Sequence, residues 1–87
     1  MNHNPRAEQM GIALARARRV RGVGQQALAE ASGVPIGTLR NWEQGRRVPR
    51  LDTAAAVAVA LGVSLDVLAG LVDEDEPAGA PKRKGKK

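Results

Sequence analysis

Arginine is the residue type in this 87-residue chain best suited to chemistry with a partner. Residues 1–72 hold nine arginines, no lysine and five acids, and a run of arginines begins at Arg46. A guanidinium is a planar, permanently charged fork that matches phosphate oxygens and the O6/N7 edge of guanine. The formal net charge of +5 therefore points to a polyanion, nucleic acid first. Charge alone would also suit an acidic protein surface or an anionic membrane.

The residue types that catalysis needs are absent or misplaced. The chain has no cysteine, hence no thiolate nucleophile, no thiolate metal site and no disulfide tied to an oxidising compartment. Its only histidine, His3, lies in the first few residues and reads as a bystander rather than a ligand. Ser32 and Ser64 thus have no imidazole in the folded region to activate them. The acids Asp73 to Glu76 are consecutive in a tail, where they could bind a divalent cation weakly but hold no fixed acid–base geometry. No glycine-rich phosphate loop with a following lysine occurs. The expectation is a binding protein, not an enzyme, with no cofactor and no metal.

Arginines must be held by a scaffold, and here the scaffold reads as helical. Ala-rich stretches favour helix, and no β-branched or aromatic alternation persists over a strand's length. Trp42 is the only aromatic residue, so the core is small and built from Ala, Val and Leu. Two short amphipathic segments meet at Ala31-Ser32-Gly33-Val34, and a steep bend between helices needs one residue of positive φ, which Gly33 supplies. Ala27, Leu28 and Ala31 share a face before the bend, and Val34, Leu39 and Trp42 share one after it, so all six read as core. Ala29 is small where two backbones must come close. Trp42 is expected at the junction of the first, third and fourth helices, the competing reading being a ring that stacks on DNA. Two helices around a glycine bend, followed by arginines, are the layout of a helix-turn-helix DNA reader.

Residues 1–5 read as a flexible lead, 6–72 as one all-α domain of five helices, and 73–87 as a disordered acidic-then-basic tail. The first helix is expected over 6–21, apolar at Met10, Ala13, Leu14, Ala17 and Val20, with Gly22 as its stop. The second covers 25–32. The third runs from Pro35 to Gly45, with Pro35 in the first turn. The fourth, 52–61, aligns Leu51, Ala54, Val57, Ala58 and Leu61, and Ser64 caps a short fifth. Neither an apolar run of about 20 residues nor a signal-peptide core is found, so a cytoplasmic protein without membrane contact is expected. The tail reads as a solubilising segment, with a basic arm onto phosphates as its functional alternative.

The stretch from Gly11 to Leu68 resembles the XRE, or Cro-repressor-like (lambda-repressor-like), helix-turn-helix family. The residues carrying the likeness are Gly11, Leu14, Arg18, Gly22, Gln25, Leu28, Ala29, Gly33, Val34, Thr38, Leu39, Glu43, Gly45, Pro49 and the run ALGVSLDVL from Ala60. The resemblance implies a compact five-helix domain, sequence-specific binding to double-stranded DNA, and transcriptional regulation, as a repressor in the first instance. It places the recognition helix at about 35–44 in the major groove, with Ile36, Gly37, Arg40 and Asn41 at base-contact positions. Gln25, Thr38, Arg46 and Arg47 match phosphate-contact positions, and Arg18 and Glu43 match a structural ion pair between the first and third helices.

Two departures from the family pattern matter. Gly24 stands where Ser or Thr usually caps the second helix, at a cost of a few tenths of a kcal/mol. Ile36 and Gly37 replace polar residues and cannot form the bidentate bonds that read a base. Specificity therefore shifts to Arg40 with guanine and Asn41 with adenine, each worth ~1–3 kcal/mol of discrimination. Ile36 is left to touch a thymine methyl, and phosphate contacts and DNA shape gain weight.

One such domain reads only a few base pairs, so a homodimer on paired half-sites is expected. Leu65, Val67, Leu68, Leu71 and Val72 form its apolar end, where Val67, Leu71 or Val72 could face outward as a seam. The alternative function is an antitoxin-type regulator that also binds a protein partner, since TLRNWEQGRRVP resembles such proteins too.

Overall fold

Asn4 opens the first helix by accepting hydrogen bonds from the Arg6 and Ala7 amides at 3.0 and 3.3 Å. Pro5 follows at the first helical position, where its missing N–H would have had no partner. Helix α1 (Pro5–Val20) therefore starts one residue ahead of the sequence expectation. The computed structural model describes residues 4–71; residues 1–3 and the expected tail 73–87, together with Val72, lie outside the described residues. Four helices complete the described fold: α2 (Gln25–Ser32), α3 (Ile36–Glu43), α4 (Leu51–Leu61) and α5 (Leu65–Leu68). The domain is all-α. No helix among the described residues is long and apolar enough to cross a membrane.

The bend between α2 and α3 rests on Gly33, at φ +77°, whose amide donates to the Ala29 carbonyl at 2.9 Å. That left-handed residue ends α2 and turns the chain into Val34, which is buried. Pro35 then sits as the N-cap of α3 rather than inside its first turn. Ser64 caps α5, its side chain accepting from the Val67 amide at 3.3 Å.

One apolar cluster ties the helices together, with Leu14, Leu28, Leu39, Trp42, Val57 and Leu68 almost wholly enclosed. Trp42 is 1% exposed, and its indole N–H donates to the Met10 carbonyl of α1 at 3.1 Å. The ring therefore belongs to the core, not to a stacking surface. Gly11 faces it: a Cβ there would meet the Trp42 carbonyl oxygen and stand 2.8 Å from that of Glu43. Helices α1 and α3 touch backbone to backbone at this point.

Several expected core positions are instead at the surface, and helix geometry explains each. At 100° per residue the buried stripe of α1 carries Ala7, Gly11, Leu14 and Ala17, which leaves Val20 roughly 125° from its centre and 59% exposed. In α2 the inward side carries Leu28 and half-buried Ala29 between Gln25 and Ser32, so Ala27 and Ala31 project to solvent. Leu51 begins α4, ahead of the stripe Ala54, Val57, Ala58 and Leu61, and is 74% exposed. Val67 is buried with Leu68 and closes the core, so it cannot form an outward seam, whereas Leu71 is exposed.

Candidate nucleic-acid interface

The interface is organised from a partly buried ion pair outward. Arg18 near the end of α1 and Glu43 at the end of α3 form a two-pronged contact: Arg18 Nε and Nη2 donate to Glu43 Oε2 and Oε1 at 2.6 and 3.0 Å. Their side chains are only 13% and 9% exposed. Arg18 Nη1 also donates to the Val23 carbonyl at 3.0 Å, which fixes the loop leading into α2. The hydrogen bonds that Arg18 donates to Glu43 hold its guanidinium above the ordinary pKa against the opposing effect of burial, and the Glu43 charge adds to them.

Gln25, the first residue of α2, joins this pair by donating from Nε2 to Glu43 Oε1 at 3.0 Å. Its Oε1 accepts in turn from Arg40 Nε of α3 at 3.5 Å. Three helices are thus connected by one polar chain whose outer end is an exposed arginine. Arg40, expected at a base edge, and Gln25, expected at a phosphate, are neighbours on the same side of α3.

The other side of α3 opens on a cleft of about 420 Å³ that separates it from the start of α4. Thr38 and Asn41 line one wall, and Arg47, Arg50 and Thr53 line the other. Asn41 is half-buried there, while Arg47 and the neighbouring Arg46 are exposed in the loop after α3. Gly37 is exposed and a Cβ on it would meet nothing within 4 Å. Ile36 sits apart from these groups, half-buried in a shallow groove beside Gln26 and Glu30 of α2. The expected site residues therefore divide into an α2-side pair, a cleft group and an apolar edge.

Arg50 and Thr53 line the cleft without having been singled out from the sequence. The signal for Arg50 was present, since it ends the RRVPR run; its pairing with Asp52 at 3.3 Å joins two side chains 83% and 70% exposed, an arrangement worth little. Thr53 gave no signal, because its place depends on where α4 begins.

Helix termini add to the electrostatics. Gly24 caps α2 with no side-chain hydrogen bond, and the first turn carries no acid; the same is true of α3, capped by Pro35. The first amides of both helices are thus left without an acidic side chain of their own, and such ends favour anions. Among the described residues no three His, Cys, Asp or Glu side chains come together as a metal site would require.

A helix-turn-helix family model matches residues 14–68, which span α2, α3 and most of the remaining fold. No curated protein matches the chain significantly. Among solved structures, the restriction-modification controller protein C.AhdI from Aeromonas hydrophila superposes with a TM-score of 0.68 at 27% identity, over 71% of this chain and 94% of that one. Two crystal structures of the clp gene regulator ClgR from Corynebacterium glutamicum superpose with TM-scores of 0.71 at 38% identity, each over 80% of this chain and over 76% and 91% of theirs.

Proposed function

Because the chain belongs to the XRE-type helix-turn-helix family of DNA-binding transcriptional regulators, we propose that it reads double-stranded DNA with sequence specificity, as a homodimeric cytoplasmic repressor. The observation that carries this reading is the exposed polar surface of α3, held at a fixed angle by the Gly33 turn and bordered by Arg46, Arg47 and Arg50. A major groove is wide enough to admit one helix, and α3 is the helix whose outward side chains are polar while its inward ones, Leu39 and Trp42, are buried.

In this reading Arg40 and Asn41 address guanine and adenine edges, and Gly37 lets the α3 backbone close on the groove. Ile36 supplies an apolar contact. Thr38, Arg46 and Arg47 grip phosphates, helped by the open N-terminus of α2, where Gln25 stands. Controller and clp-regulator functions of the structural neighbours fit a regulator that works by occupying an operator. Pairing of two copies supplies the second half-site, and the exposed Leu51, Leu65 and Leu71 offer apolar surface for it.

The test is selection of binding sites from random duplex DNA at several salt concentrations. A short palindromic motif should be enriched, with log affinity falling against log salt by ~0.9 for each phosphate neutralised. Failure to enrich any motif, or an affinity indifferent to salt, refutes the reading.

A further inference from the structure

Gln25 holds a position that its amide chemistry makes directional. A glutamine side chain has one end that donates and one that accepts, and the two look alike in shape. The neighbouring Glu43 removes the ambiguity: a carboxylate oxygen accepts only, so the end facing it at 3.0 Å must be the NH2 group. Glu43 is itself fixed by two hydrogen bonds from Arg18, in a pocket that leaves it 9% exposed. The amide of Gln25 is therefore oriented by the framework of the fold. Its carbonyl oxygen is turned outward along α3, toward Arg40 Nε.

We propose that Gln25 is a positioning residue for Arg40, and that the Arg18–Glu43 pair is the anchor from which the arginine's aim is set. This rests on the reading of α3 as the base-contacting helix and goes beyond it. A free arginine samples many rotamers and loses that freedom when it docks on a base. An acceptor on Nε restricts the side chain while leaving both terminal nitrogens, Nη1 and Nη2, open for a bidentate contact. Arg46 and Arg47, exposed in the loop, have no comparable tether to the core among the described contacts, as befits groups that need only reach a phosphate. One ion pair thus serves two ends: it joins α1 to α3 and passes an orientation to the reading surface.

The experiment compares the full chain with Gln25→Met, Arg40→Ala and the double variant, each checked for an unaltered melting transition. Methionine keeps the unbranched stem and removes both polar ends. The probes are the duplex enriched by the unaltered protein and a set of duplexes changed at single base pairs. Gln25→Met should lower the preference at the base pair that Arg40→Ala also affects, by about tenfold, and leave the other positions unchanged. The double variant should be no weaker than Arg40→Ala alone. In the DNA-free protein, the Arg40 Nε–H proton should exchange with solvent more slowly than those of Arg46 and Arg47, a difference that Gln25→Met erases.

Losses that multiply in the double variant, or a uniform loss on every duplex, overturn the proposal and leave Gln25 a phosphate contact. Equal exchange of the three Nε–H protons in the unaltered protein also overturns it. If the unaltered protein enriches no duplex, the functional reading and this proposal fall together, whereas a normal motif with independent losses removes only the latter.

Discussion

Replacing Gly11 with alanine sets two effects against each other, and the geometry decides between them. Gly11 lies within α1, so in an isolated helix Gly11→Ala should gain about 1 kcal/mol. Here the added methyl would stand 2.8 Å from the Glu43 carbonyl oxygen, with the Trp42 carbonyl in its way as well. Ordinary carbon–oxygen contacts lie near 3.3 Å or more, so α1 and α3 must part by at least about half an ångström. Both obstacles are backbone groups in the last turn of α3, which no rotamer change can move. Overpacking of this kind costs typically ~1–3 kcal/mol, and rigid obstacles put it at the upper end, leaving a net loss of about 2 kcal/mol after the helical gain. For a domain of this length such a loss lowers the melting temperature by about 8–16 °C. Thermal unfolding followed by far-ultraviolet circular dichroism measures it. Fluorescence of Trp42, the sole tryptophan, should shift to the red as its hydrogen bond to Met10 weakens. A melting temperature equal to or above that of the unaltered chain would refute the claim that these backbones are in contact.

Other outcomes follow from the same contacts. Glu43→Ala leaves the Arg18 charge and the Gln25 amide without their shared acceptor, and because the pair is slightly exposed the loss should fall at or below the low end of the ~3–5 kcal/mol for a fully buried pair, read by chemical denaturation. An unchanged midpoint with DNA binding abolished would contradict the structural role of that residue. Gly37→Ala meets open space, so it should leave the melting temperature unchanged or raise it slightly while weakening duplex binding several-fold in a fluorescence-anisotropy titration; unchanged affinity would remove the close approach assigned to that backbone. Ser64→Ala removes the cap of α5 and should cost about 1 kcal/mol by denaturant midpoint. Since Arg18 has a raised pKa in the fold, its contribution is fully present below its unfolded value, itself far above neutral pH, and is lost only as pH climbs past the folded one, so changing pH between 6 and 9 should not alter it.

What the sequence revealed followed from residues whose physics is unambiguous. Gly33 must turn, Leu39 and Trp42 must be covered, and Ser64 must cap, so the α2–α3 unit and the boundaries of α2 were legible in advance. Alanine carries no such certainty. It favours helix whether or not it is buried, and for that reason Ala27 and Ala31 looked like core while Ala7 escaped notice. Leu51 misled in a different way, since a leucine at the first position of a helix belongs to the periodic pattern but lies beyond the packing. Within the interface, residue types suggested which groups touch DNA and the family resemblance paired Arg18 with Glu43, yet the continuation of that pair through Gln25 to Arg40 was hidden. It joins positions 18 and 15 residues apart, and only packing of the helices brings them together.

The ion pair between α1 and α3 also separates cohesion from grip. Exposed arginines in the loop after α3 sit in water, where added salt shields them over a few ångströms, whereas the enclosed Arg18 and Glu43 are reached by little solvent. Concentrated salt should therefore strip the protein from a nucleic acid while leaving its helices joined, and dilution alone should restore the complex.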